Sequence, residues 1–358
     1  MLTPTSLAGA HEALHRLRRS GLDPYGYLYE VSVLIRRIVP HDVSGWMTLD
    51  PDTMLSGGTV IEANKSRDLD RALWRNELLD DSDVYKLADL ATRPTPVVAL
   101  SELDAAAAAE SPRIQRILRP AGIGHGLRVM VRIGGSSWGH GAIYRELGSR
   151  DFDADEKSFL TDAAGEIAEG LRRSLSCRPS PGADVLVPGV VVFDVAGRVL
   201  STTAPANRLI ALIPGAATSA LYAVAIAAGR RDDASARVRL IDGRWLLVQG
   251  GRMHGAFGEP VQVAVTLLPA PPADLTSVLL RLHRLSARER QVAELLMRGP
   301  RTEDIAAQLH ISYHTLRDHV KAVLTKVGAR SRSELMALVS DYVSPNPSAP
   351  TDSLIRTG

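Results

Sequence analysis

The sequence predicts an α+β chain of several domains: two mixed helix–strand modules, each with an antiparallel sheet, then an all-α module of four helices. Three observations carry this. Strand-like runs pair around tight turns twice, GLRVMVRI with HGAIYRE around GGSSWG, and within RVRLIDGRWLLVQ around Asp242-Gly243. A long amphipathic helix closes the first of these regions. In the last eighty residues strand patterning gives way to four capped helices. The boundaries expected are 1–177, 185–268, a linker at 269–280, the helical module at 281–343, and a disordered tail at 344–358.

In the first module, Leu28, Leu34, Ile35 and Ile38 recur at helical spacing, and strand-like SGWMTLD and GGTVIEA follow. DADEKSFLTDAAGEIAEGLRRSL then sets Leu160, Ala164, Ile167, Leu171 and Leu175 on one stripe. The second module reads VVVFDVAGRVLSTTAPANRLIAL as strand, turn, strand and helix, with VQVAVTLLP as a last strand. Asp242-Gly243 is the dipeptide a type I′ hairpin turn prefers. The uncharged stretch 209–229 is long enough to span a bilayer. Pro214-Gly215 interrupts it, so two short buried helices are expected instead. RPSPGAD and PAPPAD read as linkers, since Pro suits neither helix nor strand interiors.

Composition is that of a globular protein, with 45% apolar and 23% charged residues over 358 positions. Cys177 is the only cysteine, so an intrachain disulfide is excluded and a reducing cytoplasm is expected. The N-terminus lacks an apolar run behind basic residues, so no signal peptide is expected. His11, His15, His41, His125 and His140 are scattered, and His314 and His319 stand five apart. No metal or cofactor is expected from them.

The helical module is punctuated by its own residues. Ser286 with Glu289 forms a capping box and Gly299-Pro300 a stop. Thr302 is expected to cap the second helix, with Glu303 and Asp304 in its first turn; Ser312 caps the third and Gly328 closes it. Ser331 with Glu334 opens the fourth. Only His310–Ser312 separates the second helix from the third, which makes the pair a helix-turn-helix. On a helical wheel Tyr313, Leu316, Val320, Val323, Leu324 and Val327 point inward. The outer face carries His314, Arg317, Asp318, Lys321 and Thr325, the mixture major-groove reading needs: cations for guanine acceptors, an acid for a cytosine amino group. Residues 281–343 hold eleven Lys and Arg against seven Asp and Glu, a net of +4. The whole chain is +2, so the remainder is −2 and the positive charge is concentrated here.

LSARERQVAELLMRG, DIAAQLHIS and HTLRDHVKAVLTKVGARSRSEL resemble the LuxR-type helix-turn-helix domain over about sixty residues. The resemblance implies that residues 313–327 form the recognition helix, with base contacts at Arg317, Asp318 and Lys321. It implies phosphate contacts at Thr315, Lys326, Arg330, Ser331 and Arg332, and a dimer contact through the helix 332–342. Glu303-Asp304 departs from the polar or basic pair common in that family, so no phosphate contact is expected from the second helix. Upstream, element order resembles a GAF domain over roughly 20–175, and the second module resembles a PAS-type domain, both signal-sensing modules. The expected function is sequence-specific regulation of transcription, modulated by the upstream modules. The expected partners are double-stranded DNA, a second copy of the chain, RNA polymerase and an unidentified small-molecule effector, with no membrane.

One motif points elsewhere. GSSWG at 135–139 matches G-x-S-x-G, the nucleophile elbow of serine hydrolases, with Ser137 in the serine position. A ligand-binding, hydrolase-like enzyme with an accessory DNA-binding domain is therefore the alternative, and a scaffold whose helix-turn-helix binds only protein is another. The elbow needs strand, turn and helix, whereas HGAIYRE alternates like a strand, so no catalytic residue is expected. Neither an acidic receiver cluster nor a G-x-x-x-x-G-K-[ST] loop occurs.

Overall fold

A computed structural model describes residues 4–62, 67–177, 185–213, 218–254 and 261–343. The chain opens with α1 (Pro4–Leu17) and α2 (Pro24–Ile38). Next come β1 (Val43–Leu49), β2 (Ser56–Glu62), α3 (Arg67–Leu79), α4 (Leu87–Thr92), β3 (Val97–Ala99) and α5 (Ala105–Glu110). A π-helical segment, Arg113–Leu118, leads into β4 (Ile123–Ile133), β5 (Ser136–Glu146) and α6 (Ala154–Leu175). The strands form one antiparallel sheet in the order β2-β1-β5-β4-β3. The stripe expected on α6 is buried along its whole length, and α1 and α2 pack beside it.

β4 and β5 are joined by Gly134-Gly135, both at positive φ, with Ile133 opposite Ser136. That is the two-residue type I′ loop whose twist matches the strands. Asp242-Gly243 does not make such a turn. Leu240 N donates to Arg244 O and Gly243 N to Leu240 O, and Gly243 is left-handed while Asp242 is not. This is a three-residue loop, a type I turn followed by a left-handed glycine, and it needs positive φ at one position instead of two.

The second sheet contains β6 (Gly189–Asp194), β7 (Val199–Thr202), β8 (Asp233–Arg239), β9 (Trp245–Met253) and β10 (Gln262–Pro269). Its order, β7-β6-β10-β9-β8, repeats the topology of the first sheet strand for strand. Two helices lie between β7 and β8: α7 (Ala204–Ala211) and α8 (Thr218–Arg231). The uncharged stretch 209–229 thus holds only the last turn of α7 and most of α8, not two whole helices; Pro214-Gly215 lies outside the described residues. Among those residues no helix is long and apolar enough to cross a membrane. α8 also packs on α3 and β2, joining the two modules.

The stretch 269–280 is not a linker. Pro269 ends β10, and α9 (Pro272–Leu282) begins three residues later, burying Leu275, Val278, Leu279, Leu280 and Leu282. Proline lacks only a hydrogen bond that the first helical turn leaves unmade anyway, so Pro272 starts this helix instead of preventing it. RPSPGAD and residues 344–358 lie outside the described residues. The last four helices are α10 (Ala287–Arg298), α11 (Thr302–Gln308), α12 (Tyr313–Val327) and α13 (Arg332–Val343). One apolar cluster runs from the α6 side of the first sheet through α9 into their core.

Candidate nucleic-acid interface

The helix-turn-helix is set by local chemistry. Ser286 Oγ accepts from Glu289 N at 3.2 Å while the Glu289 carboxylate accepts from Ser286 N at 2.7 Å, so the capping box is complete. Gly299 and Gly328 end α10 and α12 in the left-handed conformation. Ser312 Oγ accepts from Thr315 N at 3.0 Å and caps α12. Thr302 is not a cap: it is the first residue of α11, and Arg301 holds the cap position without a side-chain bond. Two buried residues of α11, Ile305 and Ala306, fix it against α12, and Arg288 donates to Leu309 O at 2.6 Å across the turn.

α12 divides into two faces. Leu316, Val323 and Val327 are fully buried, with Val320 and Leu324 half-buried beside them. Tyr313, expected inward, is 54% exposed. It is the first residue of α12, and a side chain there extends past the end of the packing surface instead of onto it. The outer face exposes His314, Thr315, Arg317, Asp318, Lys321, Thr325 and Lys326.

The expected contact residues are not equally free. Arg317 and Lys321 form no ion pair among the described residues. Asp318 lies 3.3 Å from His314 Nδ1, an exposed i,i+4 pair. Lys326 is tied to both carboxylate oxygens of Glu289, at 2.8 and 2.7 Å. Burial alone would raise the Glu289 carboxyl, but Lys326 and the Ser286 cap outweigh it and hold it below the usual carboxylate range. Arg332 donates to Pro300 O at 3.0 Å, Ser331 Oγ accepts from Glu334 N at 3.2 Å, and Arg330 is exposed. Glu334 accepts from Arg330 N instead of Ser331 N, so this second capping box is shifted by one residue.

Behind the module lies a junction that sequence reasoning missed. Glu169 on α6 receives Arg172 at 2.7 Å, Arg173 at 3.2 Å and Arg284, from the start of the helical module, at 2.9 Å. Burial alone would raise the Glu169 carboxyl, but these guanidiniums outweigh it and hold it at about 2. Arg281 reaches Asp52 at 2.8 Å, and Arg237 of the second sheet reaches the same carboxylate at 2.6 Å. Tyr342 on α13 is buried and donates to Ser176 O at 2.7 Å; its ring lies 5.5 Å from the Arg239 guanidinium, which also stacks on Trp245. Burial brings Arg239 down to about 10. The heptad-like run LTSVLLRL of α9 was the one local signal for this junction, and the adjoining prolines obscured it.

A second candidate site lies in the first module. A cavity of about 70 Å³ opens between α3 and the sheet and is walled mainly by apolar side chains such as Val43, Leu73 and Leu87. At its polar end, Glu77 accepts from Arg113 at 2.7 Å and from Leu87 N at 2.7 Å, with Arg128 at 3.5 Å. Burial would raise the Glu77 carboxyl, yet the two guanidiniums keep it low. His140 is buried beside them and accepts from Arg128 Nε.

Ser137 is no elbow nucleophile. It lies within β5, opposite Arg132 and nearly buried, and no helix follows the turn. Among the described residues no group of three metal-ligating side chains is gathered.

A capped helix-turn-helix whose third helix exposes Arg317 and Lys321 without an ion pair among the described residues has the architecture of a DNA-binding module. Residues 283–339 match the family of bacterial regulatory proteins described as the luxR family. The spore germination protein GerE of Bacillus subtilis is 42% identical over 50 residues, 14% of this chain and 68% of that one. A putative HTH-type transcriptional regulator of Aeromonas salmonicida is 45% identical over 64 residues, 18% of this chain. The chain spans about two thirds of the first relative's length and 33% of the second's. The chain belongs to the luxR family of bacterial regulatory proteins, the match lying in its C-terminal helix-turn-helix module. Among solved structures, Escherichia coli SdiA overlays at a TM-score of 0.35 and 10% identity, covering 94% of this chain and 97% of that one. A GAF domain of Slr1393 from Synechocystis overlays at 0.28 and 16% identity, covering 43% and 90%. These loose overlays assign no ligand or assembly to the chain.

Proposed function

We propose that α12 enters the major groove and that Arg317, Asp318 and Lys321 read base edges, while Thr315, Lys326, Arg330, Ser331 and Arg332 meet phosphates. One observation carries this reading: Arg317 and Lys321 stand exposed on one face of α12 without an ion pair among the described residues, whereas the module's other arginines at the junction are neutralised. A cation kept unpaired in a +4 module is available for a polyanion. Arg317 and Lys321 are the strongest members of the set, because Lys326 must leave Glu289, and Arg332 must leave Pro300 O, before either meets a phosphate. Two copies joined through α13 would present two recognition helices to half-sites about one DNA turn apart.

The two upstream modules, about 1–177 and 185–268, act in this reading as sensors, the cavity beneath α3 receiving a small effector. The protein is then a cytoplasmic, non-enzymatic regulator that acts on RNA polymerase at the promoters it occupies. The salt dependence of DNA binding tests the core of it. Cationic phosphate contacts give a log K against log salt slope of about −0.9 each, so Lys326, Arg330 and Arg332 give a slope of about −3 per protomer. A flat line would favour a module that binds protein instead.

A further inference from the structure

We propose that the cavity beneath α3 takes a small, mostly apolar molecule that presents a hydrogen-bond-accepting carbonyl or carboxylate oxygen. The inference rests on the reading of this cavity as the effector site and names what that effector must offer.

The argument is one of donors and acceptors. Three residues lining the cavity carry buried N–H groups without a partner among the described residues: Trp74 Nε1, Arg113 Nε and His140 Nδ1. The last follows from the tautomer. Arg128 Nε can only donate, so His140 Nε2, 3.0 Å away, must accept. A neutral imidazole that accepts at one nitrogen carries its proton on the other, which makes Nδ1 a donor. Burial, then Arg128 and Arg113, push the His140 pKa well down, so the ring stays neutral. The carboxylates in the wall offer no matching surplus: Glu77 is held by Arg113, Arg128 and Leu87 N, and Asp70 accepts from Ser219 of α8. A buried donor without a partner is costly, so a ligand that supplies oxygen recovers free energy that a hydrocarbon cannot. The apolar remainder of the wall selects a hydrophobic body. A cationic ligand would meet the buried guanidiniums of Arg113 and Arg128 directly.

The test is calorimetric titration of the full-length protein with four probes of one shape: acetophenone, benzoate, ethylbenzene and benzylamine. The expected result is that acetophenone or benzoate binds at least about tenfold more tightly than ethylbenzene, with benzylamine weakest. Benzoate ahead of acetophenone identifies the carboxylate as the natural headgroup, and the reverse identifies a neutral carbonyl. Trp74→Phe keeps the ring and removes one donor. It should weaken the better oxygen-bearing probe about three- to thirtyfold and leave ethylbenzene within about twofold. Ethylbenzene or benzylamine binding as tightly as the oxygen-bearing probes overturns the ligand class while leaving the cavity a ligand site. No heat from any probe on the wild-type chain overturns the effector site itself. The probe series needs no variant, so a Trp74→Phe chain that failed to fold would not protect the proposal.

Discussion

The DNA-binding module has two charged surfaces, and they are built on opposite plans. On the outer face of α12, Arg317 and Lys321 have no ion pair among the described residues, and Asp318 has only an exposed histidine. On the inner side, Arg281 and Arg284 end on Asp52 and Glu169, and the Glu169 carboxylate itself is buried. Charges that hold the modules together are neutralised where they stand. Arg317 and Lys321, the two cations proposed to read bases, are left in water, where an unpaired cation costs little. The contrast supports the proposed DNA-facing surface more sharply than net charge does, since the whole chain is only +2.

Several substitutions would break or sharpen this contrast. The largest effect is expected from Leu316→Ala, which empties the packed side of α12 behind the basic face. Loss of a fully buried leucine costs about 2–5 kcal/mol, so thermal unfolding should show the helical module melting first. Glu169→Gln removes the carboxylate that faces three arginines and leaves the buried Arg172 charge uncompensated, while Arg284 and Arg173 keep water, at a cost of about 3 kcal/mol. Hydrogen exchange should then rise across α9 and the end of α6, while α12 stays as protected as in the parent.

Acid should act on the same side. His283, buried between α9 and α10, is held down to about 4 by burial and by Arg172. Its folded pKa is depressed, so the stability from keeping it neutral is complete above about pH 6.5 and is lost as pH falls through about 4. The loss is on the order of 3 kcal/mol. Melting temperature against pH should slope downward across that window, and His283→Phe should flatten the slope. Glu169 adds a second acid loss, between about pH 4.5 and 2. Tyr342→Phe deletes one buried hydrogen bond to Ser176 O and should cost about 1 kcal/mol, read by denaturant titration. Asp318→Asn comes last: it breaks only an exposed pair and should change stability by less than about 0.5 kcal/mol.

The legible parts of the fold were those decided by a few neighbouring residues. Ser286, Ser312, Gly299 and Gly328 mark their helix ends because capping is a local bargain between a side chain and the next turn. The α6 stripe was legible for the same reason, being periodic over six turns. Failures came where a residue type has two meanings. Proline at 272 signals a break inside a helix and a start at its first position, and the second meaning applied. Tyr313 lies at the correct wheel angle, yet it sits at the end of α12, where nothing faces it. Asp242-Gly243 fits two hairpin loops, and the flanking backbone selected the longer. The α3 cavity was beyond reach, because Glu77, Arg113, Arg128 and His140 meet only after the sheet has closed. On the proposed interface, the wheel separated exposed from buried positions; it could not show that Lys326 is held by Glu289.

The most direct measurement is selection by full-length protein from a random double-stranded DNA library at moderate salt, run beside Arg317→Ala/Lys321→Ala. The account predicts a defined, two-fold symmetric site for the parent, at least a hundredfold loss of affinity for it in the variant, and an unchanged melting temperature. Selection of the same site by the variant with undiminished affinity would contradict it, because the exposed face of α12 would then not be the surface that reads DNA.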